Sequence, residues 1–505
     1  MDDRTGRDIY QCYIKEEEKM ALKSGAQYLE EMKAMRPNVY KYGKLIEDVT
    51  TDPATKGTLM NTAEWYDRSL APETQDLYTT ISYLSGERAH RWTTVMTTAD
   101  DIIGDAKMKR DGYRACGSCM GPVCAGWGIM NALWGVTYDM DAEYGTDYHE
   151  RLKKFAAMAE EKALAMCGAI TDAKGNRKVK AGMQPNPDVF LHVEETKEDG
   201  IIVSGFKIQI CGTAAAQWIM AMPTQGFKEG EEKFAVAFAT PKDAEGITIV
   251  ETTRPSDNKV EAGNWDAPVS GTTQAFILFD KVFVPNEYVF MNGETKYSGR
   301  PIGNFSGIYR SAIGACVAGQ GDVMIGAAIA MARANGLQQK AFQDKLTDMA
   351  IRNETTYGLG IGAIAMGKQH KSGAFYPNAI LAHTNKYLVG TLPTETKRLA
   401  QEIAGGICET GCMPSYEDMV SPIYGKELIA AMEAGVSGED RFKMARLVEW
   451  LTVGAGIPGC MHGGGSPDTA KAVVKAMTKW EDYVDYAKAL AGTEADFREE
   501  PPVKK

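Results

Sequence analysis

Cys116, Cys119 and Cys124 stand in the spacing C-x2-C-x4-C within RACGSCMGPVCAGWG, and thiolates so placed can converge on one metal centre. Glycines and a proline in the same stretch let the backbone wrap an inorganic group. Iron–sulfur clusters are typically held by four thiolates, so a fourth is needed. Cys316, in GACVAGQGD, is the candidate. The four together would hold one iron–sulfur cluster. C-x2-C spacing also serves zinc and redox sites, and inert buried thiols share the pattern, so spacing alone leaves these readings open.

The elements that position such a loop need a large core. The chain has 505 residues, 44% hydrophobic and 24% charged, enough for two or three domains. Ten cysteines, with no N-terminal segment resembling a signal peptide, point to a reducing cytoplasm. No uninterrupted apolar run reaches transmembrane length, which gives no expectation of a membrane partner. A formal net charge of -11 disfavours nucleic acid and anionic membranes, while leaving room for a local basic pocket.

The hydrophobic pattern changes twice. Segments such as AQYLEEMKAM and DYHERLKKFAAMAEEKALAM repeat apolar residues every three or four positions, which predicts helices over residues 1–165. Within 166–296 the pattern shortens to VFLHVEE, GIIVSGFKIQI, KFAVAFAT, GITIVET and TQAFILFDKVFVP, which predicts strands. Residues 297–505 return to long helical patterns, GDVMIGAAIAMARA and DTAKAVVKAMTKWEDYVDYAKAL being the clearest. The class is α+β.

Helices, a small β segment and helices again is the order of acyl-CoA dehydrogenase-like flavoproteins, which implies a middle β-barrel domain and a C-terminal helical bundle. VSGFKIQICGT resembles the flavin-contacting strand of that superfamily, with Lys207 in place, Cys211 where a hydroxyl often sits, and Gly212 after it. AQEIAGGICETG is similar to its C-terminal glycine motif, where Gly405 and Gly406 would approach the adenosine side of FAD. NVYKYGKLIEDVTTDP, TYDMDAEYGTDYH, AITDAKGNR, FDKVFVPNEYVF, GQGDVMIGAA and MHGGGSP occur in the order found in the 4-hydroxybutyryl-CoA dehydratase family, which shares its fold with 4-hydroxyphenylacetate 3-monooxygenases. The resemblance implies FAD, a 4Fe-4S cluster beside it, an acyl-CoA substrate, and a homotetramer whose subunits share flavin sites.

Carried over residue by residue, Cys119, Cys124 and Cys316 fall at or beside that family's three cysteine ligands, with one extra residue between the first two. Its histidine ligand corresponds to Tyr309, and Cys116 is an added thiol. The acid–base positions of the dehydratase are occupied here by Gly459, Ile313, Val317 and Gln274. Cys460 and His462 stand in the turn expected to face the flavin, where a thiol or imidazole can move a proton at neutral pH. Tyr309 and His149 complete the candidate catalytic set. The turn TDAKGNR supplies Thr171, Asp172, Gly175 and Arg177 as flavin contacts, Arg177 suiting pyrophosphate. Arg91 and Arg110 are candidates for attracting an acidic substrate.

Two classes of enzyme follow. One is a flavin and iron–sulfur lyase or isomerase acting on an acyl-CoA; the other is an oxidoreductase passing single electrons between cluster and FAD. A reduced-flavin monooxygenase has no need of the cysteine loop, and a non-catalytic electron carrier is the remaining alternative.

Overall fold

The computed structural model describes residues 22–117, 119–253, 272–409, 413–452, 464–495 and 497. Five helices of nine residues or more lead the described chain: α1 (Gly25–Lys33), α2 (Lys56–Arg68), α3 (Ala99–Cys116), α4 (Ala125–Tyr144) and α5 (Tyr148–Glu161). Helix α3 opens on a capping box in which the Thr98 hydroxyl accepts from the Asp101 N–H while the Asp101 carboxylate accepts from the Thr98 N–H. It closes at Gly117, whose φ of 63° is a left-handed conformation that suits glycine. This stop releases the cysteine loop that runs from α3 into α4.

Besides two small hairpins, Thr79–Ile81 with Arg88–His90 and Lys368–Gln369 with Phe375–Tyr376, the described strands form two larger sheets. The larger takes β1 (Val39–Lys41), β2 (Lys44–Ile46), β4 (His192–Thr196), β5 (Gly200–Cys211), β8 (Ile247–Glu251) and β9 (Gln274–Pro285), in the spatial order β2-β1-β8-β9-β5-β4. The smaller takes β3 (Met166–Ala169), β6 (Trp218–Ala221), β7 (Val236–Pro241) and β10 (Val289–Asn292), in the order β10-β7-β6-β3. Both are mixed: β1 pairs parallel with β8, and β3 parallel with β6. The expected closed barrel is not found among the described residues. Strands β2 and β4 end one sheet and β10 and β3 the other, so the β structure is two open sheets. The long pair β5–β9 is kinked by register shifts between Ala275 and Ile277 and between Phe279 and Val282, which twist it locally.

Helix α5 covers Tyr148–Glu161, and the end of the segment read as helical, from Met166, is strand β3. One hydrophobic core joins the N-terminal helices to both sheets and includes the fully buried Trp65, Trp92, Trp127, Trp134 and Trp218. The later helices of eleven residues or more are α6 (Arg300–Ala334), α7 (Lys340–Ala365), α8 (Ala379–Val389), α9 (Leu392–Ala404), α10 (Gly438–Thr452), α11 (Pro467–Met477) and α12 (Trp480–Ala491). Helices α6, α7, α9 and α10 share a cluster of their own holding Met324, Ala328, Met349, Leu399, Ile403 and Leu451. Helix α6 is long and apolar enough to cross a membrane, yet 72% of its most apolar stretch is buried inside the protein.

The two parts are held together at α3 and α6. A Cβ on Gly319 would lie 2.3 Å from the Arg110 carbonyl oxygen, so a bare glycine lets the helix backbones touch one turn beyond Cys316. Arg110 ties the same contact from α3, donating to both carboxylate oxygens of Asp322 at 2.8 and 2.9 Å and also pairing with Glu354. Arg114 joins it at 2.7 Å from Asp322. Arg110 is thus spent on helix packing rather than on a substrate. Arg91 is likewise committed, donating to the carbonyls of Leu77, Asp76 and Thr79.

Candidate functional site

The cysteine loop is fixed by hydrogen bonds to its backbone. Asn61 of α2 and Thr272, next to β9, each donate to the Cys119 carbonyl at 2.6 Å. The Gly121 N–H points at the Cys119 sulfur from 3.4 Å. Gly121 and Gly212 both adopt positive φ, 58° and 68°, and a Cβ on Gly212 would lie 2.9 Å from the Gly121 Cα and 2.6 Å from the Pro122 ring. Two glycines in contact therefore press the end of β5 onto the loop. The consequence is a thiol pair, with the Cys211 Sγ 3.9 Å from the Cys119 Sγ.

Cys124 precedes α4, and Cys316 faces the same region from α6. Between them lies a buried ion pair, Lys109 Nζ to Asp105 Oδ2 at 2.6 Å, one turn apart on α3. Burial opposes the Lys109 charge, but Asp105 and the thiols of Cys124 and Cys316 raise its affinity for the proton above the usual lysine range. Burial pushes the Cys124 thiol up to about 11 and holds Cys316 well above the usual thiol range, with Lys109 pulling both down. Cys119 is drawn down to about 6, first by the hydrogen bond from Cys211, and further by the Tyr113 hydroxyl, the Gly121 N–H and Lys109, against the desolvation of its site. The same contact, together with burial and the charge of Cys119, holds the Cys211 thiol well above the usual range.

Cys116 is half-buried at the end of α3, and the charges acting on it belong to Glu64, Arg68 and Asp111. Burial and the two carboxylates push its thiol up to about 12. Among the described residues, no group of three His, Cys, Asp or Glu is disposed to hold a single metal ion. Such an ion, at Zn–S distances of about 2.3 Å, requires tighter convergence than a multi-iron cluster does. The residues present fit the latter: soft thiols from a loop, a strand and a helix, with a buried cation beside them.

Tyr309 borders these thiols. Its ring stacks on Phe305 at 5.2 Å, and it lines a small cavity with Cys124, Lys109, Trp92 and Trp127. Burial, and then the negative charge of Cys119, Cys124, Cys316 and Cys211, hold its phenol well above the ordinary range. On its other side is Gly464, where a Cβ would sit 2.8 Å from the Tyr309 ring. The neighbouring Arg310 donates to the Gly464 carbonyl at 2.9 Å and to His383 Nδ1 at 2.5 Å. Cys460, His462 and Gly459 lie outside the described residues. Ile313 and Val317 form an apolar cluster with Val389 and Tyr309.

The residues expected to meet a flavin separate into two kinds. Asp172 and Lys207 are occupied with each other, at 2.8 Å, each side chain 2% exposed. Lys207 also donates to the carbonyls of Ile170 and Met222 at 2.8 and 3.1 Å, so it clasps β5 to neighbouring backbone. Gly175, at φ 50°, turns against Gln184, which accepts from the Asn176 N–H at 2.9 Å. Arg177 is exposed in this turn, and Thr171 is half-buried, its carbonyl accepting from the Ile208 N–H. Gly405 ends α9 at φ 86° and ψ -176°, a region essentially reserved to glycine, and Gly406 follows with open space where a Cβ would be.

His149 stands elsewhere. Its Nδ1 is 3.0 Å from the Thr137 hydroxyl, and its ring packs edge-on against Trp134. Thr137 is roughly 18 Å along α4 from the Cys124 end at the helical rise per residue. Burial lowers the His149 proton affinity, and the ring lines a separate surface groove.

Sequence reasoning did not single out Lys109, Asp105, Asn61 or Thr272. An Asp and a Lys four apart, two turns before a cysteine loop, was the available signal for the first two. The Asn61 and Thr272 contacts join residues 58 and 153 positions from Cys119, and no local pattern announces them.

Residues 24–291 match the family described as 4-hydroxyphenylacetate 3-hydroxylase N terminal, and residues 300–492 match the one described as its C terminal. The 4-hydroxybutyryl-CoA dehydratase/vinylacetyl-CoA-Delta-isomerase of Clostridium aminobutyricum is 32% identical over 490 residues, covering 93% of this chain and 99% of that protein. An oxygen-tolerant archaeal 4-hydroxybutyryl-CoA dehydratase from N. maritimus superposes with a TM-score of 0.91 at 32% identity, over 96% of this chain and 98% of the other. The oxygenase component of a 4-hydroxyphenylacetate 3-monooxygenase, complexed with FAD and 4-hydroxyphenylacetate, shares the fold at a TM-score of 0.80 and 21% identity, over 93% and 98% of the two chains. From end to end, then, this chain belongs to the family that unites the 4-hydroxyphenylacetate 3-hydroxylases with the 4-hydroxybutyryl-CoA dehydratases.

Proposed function

We propose that the protein is an FAD- and 4Fe-4S-dependent enzyme acting on an acyl-CoA thioester by dehydration or double-bond isomerisation. The observation that carries this reading is the gathering of Cys119, Cys124 and Cys316 around the Lys109–Asp105 pair, in a chain 32% identical to a protein named for those two reactions. FAD is proposed between the β sheets and the C-terminal helices, in a homotetramer whose subunits complete one another's sites. Gly405 and Gly406 would admit a nucleotide close to backbone amides, and the exposed Arg177 would neutralise pyrophosphate.

Together the two cofactors would supply one-electron chemistry. The chain's own contribution is to bury the thiols, set Lys109 beside their negative charge, and hold Tyr309 protonated as a hydrogen-bond donor toward a carbonyl oxygen. Cys460 and His462 are proposed to move the substrate proton. A second reading, an oxidoreductase passing single electrons between cluster and flavin, is favoured by the apolar wall of Ile313, Val317 and Val389, which offers no acid or base.

The test is anaerobic incubation of cofactor-replete protein with 4-hydroxybutyryl-CoA and with vinylacetyl-CoA, products being followed by chromatography. Conversion of either to the crotonyl thioester without net oxidation supports the lyase or isomerase. Turnover only with an added electron donor or acceptor supports the second reading.

A further inference from the structure

We infer that Cys211, from strand β5, supplies the fourth thiolate to the iron–sulfur centre of Cys119, Cys124 and Cys316, and that Cys116 lies outside it. The inference deepens the proposed function and rests on its claim that the centre exists. Nothing in the cysteine spacing suggests it, because Cys211 follows Cys124 across α4, α5 and strands β3 to β5.

Three features of the fold deliver Cys211 to this place. Gly212 and Gly121 lie in backbone contact, which docks the last residue of β5 on the cysteine loop. The Gly212 N–H donates to the Thr273 carbonyl at 2.8 Å, and the adjacent Thr272 donates to the Cys119 carbonyl, so strand end and loop share one hydrogen-bonded frame. The result sets the Cys211 and Cys119 sulfurs 3.9 Å apart, near enough to share one centre, and binding two different irons of it requires one of the two side chains to rotate outward.

Cys116 has the opposite surroundings. It caps the end of α3, where the helix dipole disfavours an anion, and the charges around it include the carboxylates of Glu64 and Asp111. Cys119 has a backbone N–H directed at its sulfur, and Lys109 serves the thiols behind it. Four thiols supplied by the loop, β5 and α6 leave no position for Tyr309 as a ligand. Each thiol releases its proton on binding iron, and no oxidation is involved in ligation.

The test uses full-length wild type, Cys116→Ala, Cys211→Ala and Cys211→Ser, each reconstituted anaerobically with ferrous iron and sulfide. Iron, sulfide and FAD are measured per chain, and Mössbauer spectra are recorded. Cys116→Ala should match wild type. Cys211→Ala should lose at least a quarter of its iron, and Cys211→Ser, nearly isosteric, should retain FAD while showing one iron site distinct from the rest. Wild-type iron content and spectrum in both Cys211 variants, or equal loss in Cys116→Ala, would overturn the assignment of the fourth ligand alone. Wild type that takes up no iron, or takes up zinc instead, overturns the cluster itself before any variant is compared.

Discussion

Lys207 and Asp172 meet at 2.8 Å where neither side chain reaches water, so a charged pair is enclosed in the joint between β5 and the turn that follows β3. Burial acts against both charges, lowering the lysine's proton affinity and raising the carboxyl's, and each partner offsets the other's loss. Removing one partner leaves the other uncompensated. Lys207→Met should cost about 3–5 kcal/mol of stability, whereas Lys207→Met with Asp172→Leu should recover a large part of it. Chemical denaturation of the three proteins checks this; equal stability of the single variant and wild type would remove the clasp.

Gly212→Ala tests the contact that presses β5 onto the cysteine loop. The new methyl meets the Pro122 ring at 2.6 Å and the backbone adopts a φ of 68° that alanine resists by about 1 kcal/mol or more. The variant should melt several degrees lower and bind iron more weakly, with the loop rather than the thiols altered. Differential scanning fluorimetry and iron titration provide the readouts. Unchanged values for both would mean the loop tolerates displacement.

Lys109→Met should reduce iron retention even though no ligand is removed. The lysine places positive charge beside Cys124 and Cys316, and its loss leaves Asp105 as an unpaired buried carboxylate near thiols. Lys109→Arg should keep the charge but crowd the helix, giving partial retention. The measurement is iron per chain after gel filtration; full retention in Lys109→Met would show that the charge is dispensable.

Acid should destabilise the protein through two buried imidazoles. His90 accepts from the Lys23 N–H and is lowered to about 3 by burial; His383 is lowered to about 4 by burial and by Arg310. The unfolded chain protonates both near pH 6.5, the native chain does not. Unfolded protein therefore binds more protons as pH falls below about 6.5, and stability declines by up to about 1.4 kcal/mol per pH unit for each group until the native values are reached. Above pH 7 this contribution to the slope vanishes. Denaturation midpoints between pH 5 and 8 check it, and His90→Gln should flatten the acid side if its hydrogen bonds survive.

The order of elements was legible because apolar spacing is a local property: helices before 166, strands to 292 and helices again follow directly from it. The pairing of those elements was not. Strands β1 and β2 lie within the N-terminal helical stretch, yet Val39 pairs with Ile249, and the core runs continuously from those helices into both sheets. Barrel closure likewise depends on which distant edges meet, and here they stay open. In the site, the loop cysteines and Cys316 stood out by residue type. Cys211 was read as a flavin contact because its neighbours resemble a flavin strand, and only the docking of Gly212 on Gly121 shows it beside Cys119. Lys207 and Asp172 were both picked as cofactor contacts, while their partnership is a tertiary fact.

The central claim is that one chain carries FAD and a four-iron cluster together. Protein purified without oxygen and assayed for flavin, iron and acid-labile sulfide should contain about one FAD, four irons and four sulfides per chain, with broad cluster absorption beneath the flavin bands. Protein that is correctly folded and saturated with FAD, yet holds no iron or sulfide after anaerobic reconstitution, would contradict the account.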